Sequence, residues 1–110
     1  MGRFIKAGRP GDLADGEKRK VTLEGHDYLL ARVAGRLYAA DNLCPHLKGD
    51  LSAGSLEGPA IVCPLQGSRF DIRDGRVLSW RAAPAETDTG ARPLKTYNVK
   101  VENDTIYIEI

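Results

Sequence analysis

Cysteine is nearly missing from this sequence, and its scarcity is informative. Only Cys44 and Cys63 occur among 110 residues. Two thiols cannot form the disulfide framework that holds small secreted domains together. No stretch approaches the roughly 18 apolar residues that a membrane-crossing helix needs. The opening residues Met1-Gly2-Arg3-Phe4-Ile5-Lys6 lack the apolar run of a secretory signal. The expectation is a reducing compartment, the cytoplasm, with no membrane partner. Net charge is only +1, without the basic excess of a nucleic-acid binder. The one basic run, Lys18-Arg19-Lys20, adjoins Asp15 and Glu17 and reads as a solvated turn. Phosphate-cradling loops, nucleotide fingerprints and nucleophile–base sets are all lacking, so catalysis by this chain alone is not expected.

Helical periodicity is also lacking, and what is present is β-patterned. Short apolar segments predict strands at 4–7, 21–24, 28–33, 36–40, 60–62, 69–72 and 76–79. A hairpin is expected about Gly25-His26-Asp27, a turn at Ala34-Gly35, and a primed two-residue turn at Asp74-Gly75. Four glycines and prolines make residues 47–59 turn-rich. Clean alternation over 95–102 predicts one strand with Tyr97, Val99 and Val101 on a common face. Ile106, Ile108 and Ile110 mark the inward face of the last strand. Residues 85–92, with Gly90 as a hinge, predict a mobile loop. The fold class is all-β, and 110 residues support one domain.

The chemistry concentrates in two short stretches, Cys44-Pro45-His46 and Cys63-Pro64-Leu65-Gln66, with residues 47 to 62 between them. A lone cysteine is most often a small buried hydrophobe. Two Cys-Pro turns with a histidine two residues after the first change that reading. Thiolate and imidazole suit zinc, copper or an iron–sulfur cluster. The loops are expected at neighbouring strand ends, with the two sulfurs near enough to share a metal or, after oxidation, a disulfide bond. A mononuclear zinc or iron site from Cys44, His46, Cys63 and an oxygen ligand is a further possibility. His26, the other histidine, lies in the predicted hairpin turn and reads as a surface residue. Trp80 reads as half-buried packing, and Tyr97 and Tyr107 as core or edge aromatics.

These loops, together with Gly67-Ser68-Arg69-Phe70-Asp71, Tyr38-Ala39-Ala40-Asp41-Asn42-Leu43, Gly75-Arg76-Val77-Leu78 and Pro93-Leu94-Lys95-Thr96-Tyr97, resemble Rieske-type ferredoxins. That family's signature is C-x-H followed by C-x-x-H. The resemblance implies a Rieske-type antiparallel β-sandwich, with a base from residues 1–40 and 82–110 and a small cluster-binding subdomain over about 41–81. It implies a [2Fe-2S] cluster with Cys44 and Cys63 on one iron and His46 on the other. Two imidazoles in place of thiolates raise such a cluster from about −400 mV to between about −150 and +300 mV. It also implies an electron carrier between a flavin-dependent ferredoxin reductase and a terminal oxygenase.

Gln66 departs from the signature by standing where the family has its second histidine. Its neutral carbonyl oxygen is a weaker ligand than imidazole and does not titrate. Three arrangements follow: Gln66 or water completes the site, Asp71 or Lys48 swings in, or the cluster is lost. In the last case the chain resembles a cluster-free Rieske-fold interaction subunit of an oxidoreductase, of the nitrite reductase small-subunit type. Residues 80–93 are also longer than the family's cluster-shielding segment, with Pro84 as the counterpart of its proline. By the same likeness, Gly67 gives backbone freedom near sulfur and Ser68 is a candidate hydrogen-bond donor to a bridging sulfide.

Overall fold

Four successive residues, Tyr28-Leu29-Leu30-Ala31, are buried within one strand. A strand with one wet face alternates; a continuous buried run means that both faces are covered. The chain, seen in a computed structural model, is described at residues 2–45, 49–65, 67–79 and 92–110. Among these, three antiparallel sheets account for the run. The central one has the order β2 (Lys18–Leu23), β3 (His26–Val33), β4 (Arg36–Asp41), β9 (Thr96–Tyr97). Leu29, Ala31 and Ala40 point to one side of it; Tyr28, Leu30 and Ala39 point to the other.

The second side is covered by a three-stranded sheet of β1 (Phe4–Gly8), β11 (Thr105–Glu109) and β10 (Val99–Glu102). Its Ile106 and Ile108 complete a core with Leu13, Tyr28, Leu30 and Ala39. On the first side, Leu29, Ala31 and Ala40 join Ile61, Phe70 and Ile72, and Cys44 and Cys63 belong to this same core. Those residues come from or flank the third sheet, β5 (Ser55–Glu57), β6 (Ala60–Val62), β7 (Arg69–Asp71) and β8 (Val77–Ser79).

The all-β expectation is met, and several local expectations are revised. The first hairpin turns at Glu24-Gly25, φ 51° and 80°, and His26 already belongs to β3. Positive φ at both central residues is the primed geometry that matches strand twist, and it recurs at Ala34-Gly35 and Asn103-Asp104. Lys18-Arg19-Lys20 is strand, not turn, because it pairs in register with Leu29, Leu30 and Ala31. Residues 95–102 are not one strand. Thr96–Tyr97 pairs with β4 and Val99–Glu102 with β11, so the chain changes sheets at Asn98. Val101 is exposed, unlike Tyr97 and Val99. The predicted loop at 85–91, Trp80 and Pro84 lie outside the described residues.

Asp74-Gly75 is also not a two-residue primed turn. Residues 72–76 form a five-residue loop organised by Asp71, whose side chain is 1% exposed. The carboxylate accepts from the Arg73 backbone N–H, from Arg73 Nε and Nη2, and from Arg76 Nη2. Gly75 is required where it stands, since a Cβ there would lie 1.9 Å from the Leu94 carbonyl oxygen.

Chiefly through the Arg73 hydrogen bonds, with the Arg73 and Arg76 charges adding, the Asp71 carboxyl is held at about 2, against desolvation. A depressed carboxyl pKa stabilises the fold above the unfolded value near 3.8 and loses that contribution as pH falls towards 2. The shift corresponds to about 2 kcal/mol. Asp71→Asn is expected to lower unfolding free energy at pH 7 by about that much. The difference from wild type should shrink in urea titrations carried from pH 5 down to pH 2. A constant difference across that range would remove the charge from the explanation.

Candidate metal centre

Cys44 stands three residues beyond β4, and Cys63 directly follows β6. The loops therefore leave strands of two different sheets, not neighbouring strands of one. Gly49 brings them together. Its carbonyl accepts the Cys44 N–H at 2.9 Å, and a Cβ on Gly49 would lie 2.8 Å from Cys63 Sγ and 3.1 Å from Leu65 Cγ. Both cysteines are buried and neither is in a disulfide.

Each loop closes on its own backbone. In the second, the Cys63 N–H donates to Ser68 O at 2.8 Å and the Gly67 N–H donates to Cys63 O at 3.0 Å, with Gly67 at φ 78°. That conformation is accessible to glycine at little cost. Leu65 at its tip is 58% exposed. In the first, Leu43 and Asp50 form an antiparallel bridge at the loop's base. Asn42, 1% exposed, donates from Nδ2 to Asp50 Oδ1 at 2.8 Å and accepts the Ser52 N–H at Oδ1. Asp50 Oδ1 also accepts the Ser52 N–H, capping a single turn of 3-10 helix at Leu51–Ala53. Hydrogen bonds from Ser52 and Asn42 hold the Asp50 carboxyl below the usual carboxylate range.

The base strands grip this loop from outside. Lys18 Nζ donates to Ser52 O, and Lys20 Nζ lies 3.8 Å from Asp50. The basic run thus clamps β2 to the segment between the two cysteines. On the other flank Asp41 Oδ1 takes the Tyr97 hydroxyl at 2.6 Å and pairs with His26 Nε2 at 2.8 Å. Burial, then the Asp41 bond, pushes the Tyr97 hydroxyl pKa up. His26 is therefore engaged with Asp41 at the edge of the central sheet. Asp71, a candidate replacement ligand, is committed to Arg73 and Arg76.

His46, Lys48 and Gln66 lie outside the described residues. Among the described residues no group of three His, Cys, Asp or Glu side chains could hold a metal ion. What is described of the donor set suits a soft metal centre: two thiols buried in one core, with a glycine between their loops that leaves no room for a side chain. Sequence reasoning missed Asn42, Gly49 and Asp50. Asp50 two residues before Ser52 is a local signal for a side-chain-capped turn. Nothing local marks Asn42, whose partners are eight and ten residues away.

Over residues 3–98 the sequence matches the Rieske [2Fe-2S] domain. The chain belongs to the Rieske family. It is 39% identical over 108 residues to the ferredoxin component of the naphthalene 1,2-dioxygenase system of Pseudomonas putida, covering 98% of this chain and 96% of that one. Its fold superposes on the Sphingomonas yanoikuyae B1 ferredoxin with a TM-score of 0.81, at 29% identity and 98% and 99% coverage. The same TM-score, at 27% identity and 96% and 92% coverage, relates it to a chain in a complex of reduced oxygenase and oxidised ferredoxin in carbazole 1,9a-dioxygenase. Rieske membership implies a [2Fe-2S] cluster, and the buried thiol pair is consistent with one. No helix among the described residues is long and apolar enough to cross a membrane.

Gly49→Ala tests the contact that gathers the two loops. Its Cβ must displace Cys63 Sγ or the Gly49 backbone, since 2.8 Å is closer than such atoms pack. We expect a folded protein with iron and acid-labile sulfide per chain reduced at least twofold after anaerobic reconstitution. Unchanged content would show that the loops adjust freely.

Proposed function

We propose that this chain is the ferredoxin component of an oxygenase system, taking single electrons from a flavin-dependent reductase and passing them to a terminal oxygenase. The observation that carries this reading is the end-to-end match to ferredoxin components, together with two cysteines buried in one core. On this reading residues 41–81 are the cluster-binding part, and residues 1–40 and 82–110 form the base.

Cys44 and Cys63 hold one iron as thiolates, His46 holds the other, and Gln66 takes the fourth place through its amide oxygen. A bound [2Fe-2S] cluster supplies reversible one-electron chemistry. The chain's own part is to keep water from the sulfurs, to fix both loops, and to present the histidine-side iron near the surface. Leu43 and Leu65, both exposed beside the cysteine loops, give that surface an apolar character.

Gln66→His restores the family's fourth ligand. Imidazole binds this iron more strongly than an amide oxygen, so the substitution is expected to raise iron and sulfide per chain and to lengthen cluster lifetime in air. Both forms are reconstituted anaerobically in parallel and followed by metal and sulfide analysis and visible absorption. A brown wild-type protein supports the electron-carrier reading. Failure of both forms to take up iron replaces it with a cluster-free interaction subunit. A full, air-stable wild-type cluster would show that the position does not need imidazole.

A further inference from the structure

We propose that Asn42 and Asp50 are positioning residues for the metal centre, locking the first cysteine loop so that Cys44 and Cys63 face a common space before any metal arrives. The proposal rests on the reading of the two cysteines as metal ligands.

The segment between the two sheets anchors Cys44 and Leu51 in the core, and its backbone, which no strand ladder pairs, must be fixed by other hydrogen bonds. Asn42 supplies them from three atoms. Its buried amide spends Nδ2 on Asp50 Oδ1 and Oδ1 on the Ser52 N–H, while its backbone carbonyl takes the Leu51 N–H at 2.8 Å. Asp50 gathers three donors on one oxygen: Asn42 Nδ2, Ser52 N and Ser52 Oγ. These bonds pin positions 42 and 50, the two ends of the loop. Gly49 adjoins the pinned end, and it both accepts from the Cys44 N–H and abuts Cys63 Sγ. A shift of Asp50 therefore moves Gly49 and disturbs both thiols together. Losing the buried Asn42–Asp50 bond also leaves a desolvated amide without its partner, so the loop has a reason to rearrange and not merely to relax.

The test separates thiol placement from iron binding and from overall stability. Phenylarsine oxide condenses with two thiols: two arsenic–sulfur bonds form, the thiol protons leave with the arsenic-bound oxygen as water, and no oxidant is needed. Its affinity for the reduced, metal-free full-length chain reports whether Cys44 and Cys63 are held together. Asp50→Ala is expected to weaken that affinity at least tenfold relative to wild type. Asp50→Asn, which keeps an Oδ1 acceptor, should recover most of it. Asn42→Ser removes the Nδ2 donor together with the Oδ1 acceptor of the Ser52 N–H, and supplies the same test should Asp50→Ala not fold. Ile108→Val, which lowers stability from the opposite core, should leave arsenical affinity within twofold of wild type. In reconstituted proteins, Asp50→Ala and Asn42→Ser are also expected to shift the g values of the reduced cluster, and Ile108→Val is not. Arsenical affinities for folded Asp50→Ala and Asn42→Ser within twofold of wild type would overturn the proposal, as would an equal loss in Ile108→Val. Wild-type protein that takes up no iron would overturn the metal-centre reading, while the arsenical would still measure the positioning.

Discussion

The structure depends on two central strands that are covered on both faces. Strands β3 and β4 bury Leu29, Ala31 and Ala40 against one neighbouring sheet and Tyr28, Leu30 and Ala39 against the other. Burying a leucine such as Leu29 or Leu30 stabilises by about 1.5–3 kcal/mol, and the two leucines face opposite cores, so the central strands stabilise both at once. Cys44 follows β4 by three residues. The first cysteine loop is thereby anchored at one end to a strand paired on both sides, and the Tyr97–Asp41–His26 contacts fasten that end further.

Buried polarity is confined to the cysteine-bearing half. Among the described residues the buried polar or charged side chains are Asn42, Ser68 and Asp71. Asn42 ties the base of the first loop, the Ser68 carbonyl takes the Cys63 N–H, and Asp71 organises the β7–β8 loop. Among the described residues, the other core, between β10, β11 and the central sheet, buries aliphatic side chains and Tyr28 but no amide, hydroxymethyl or carboxylate group. Apolar packing suffices where regular strands face each other. Irregular loops leave backbone donors and acceptors that strands would have paired, and a buried loop must find them other partners.

This division also explains which features could be read in the sequence. Alternation at 105–110 and the apolar runs of β3 and β6 identify strands because burial on a sheet face writes itself into neighbouring residues. The paired Cys-Pro turns, with His46, carry the family signature at fixed spacing. The break at Asn98 was invisible, since both halves of 95–102 alternate correctly and only their partners differ. Lys18–Lys20 looked like a turn because a basic run beside Asp15 and Glu17 reads as solvated, although its backbone pairs with β3 and Lys18 and Lys20 reach Ser52 and Asp50. Asp74-Gly75 misled for a related reason. The dipeptide favours a primed turn, but Asp71 and Arg73 together with the close approach of Leu94 select a longer loop. In each case a contact remote in sequence overrode a local preference.

Loop fixation and ligand strength bear on each other through the same free energy. A metal site assembled from floppy segments must order them on binding, and that ordering opposes the affinity of its ligands. Here the first cysteine loop is pinned by Asn42, Asp50 and the Lys18 and Lys20 contacts, and the second is closed by Ser68 and Gly67. Little ordering is left for metal binding in the parts of the loops nearest the two thiols. A chain built this way loses less to ordering on binding a metal than one whose loops rely on the metal for their shape, because the loop hydrogen bonds are already made.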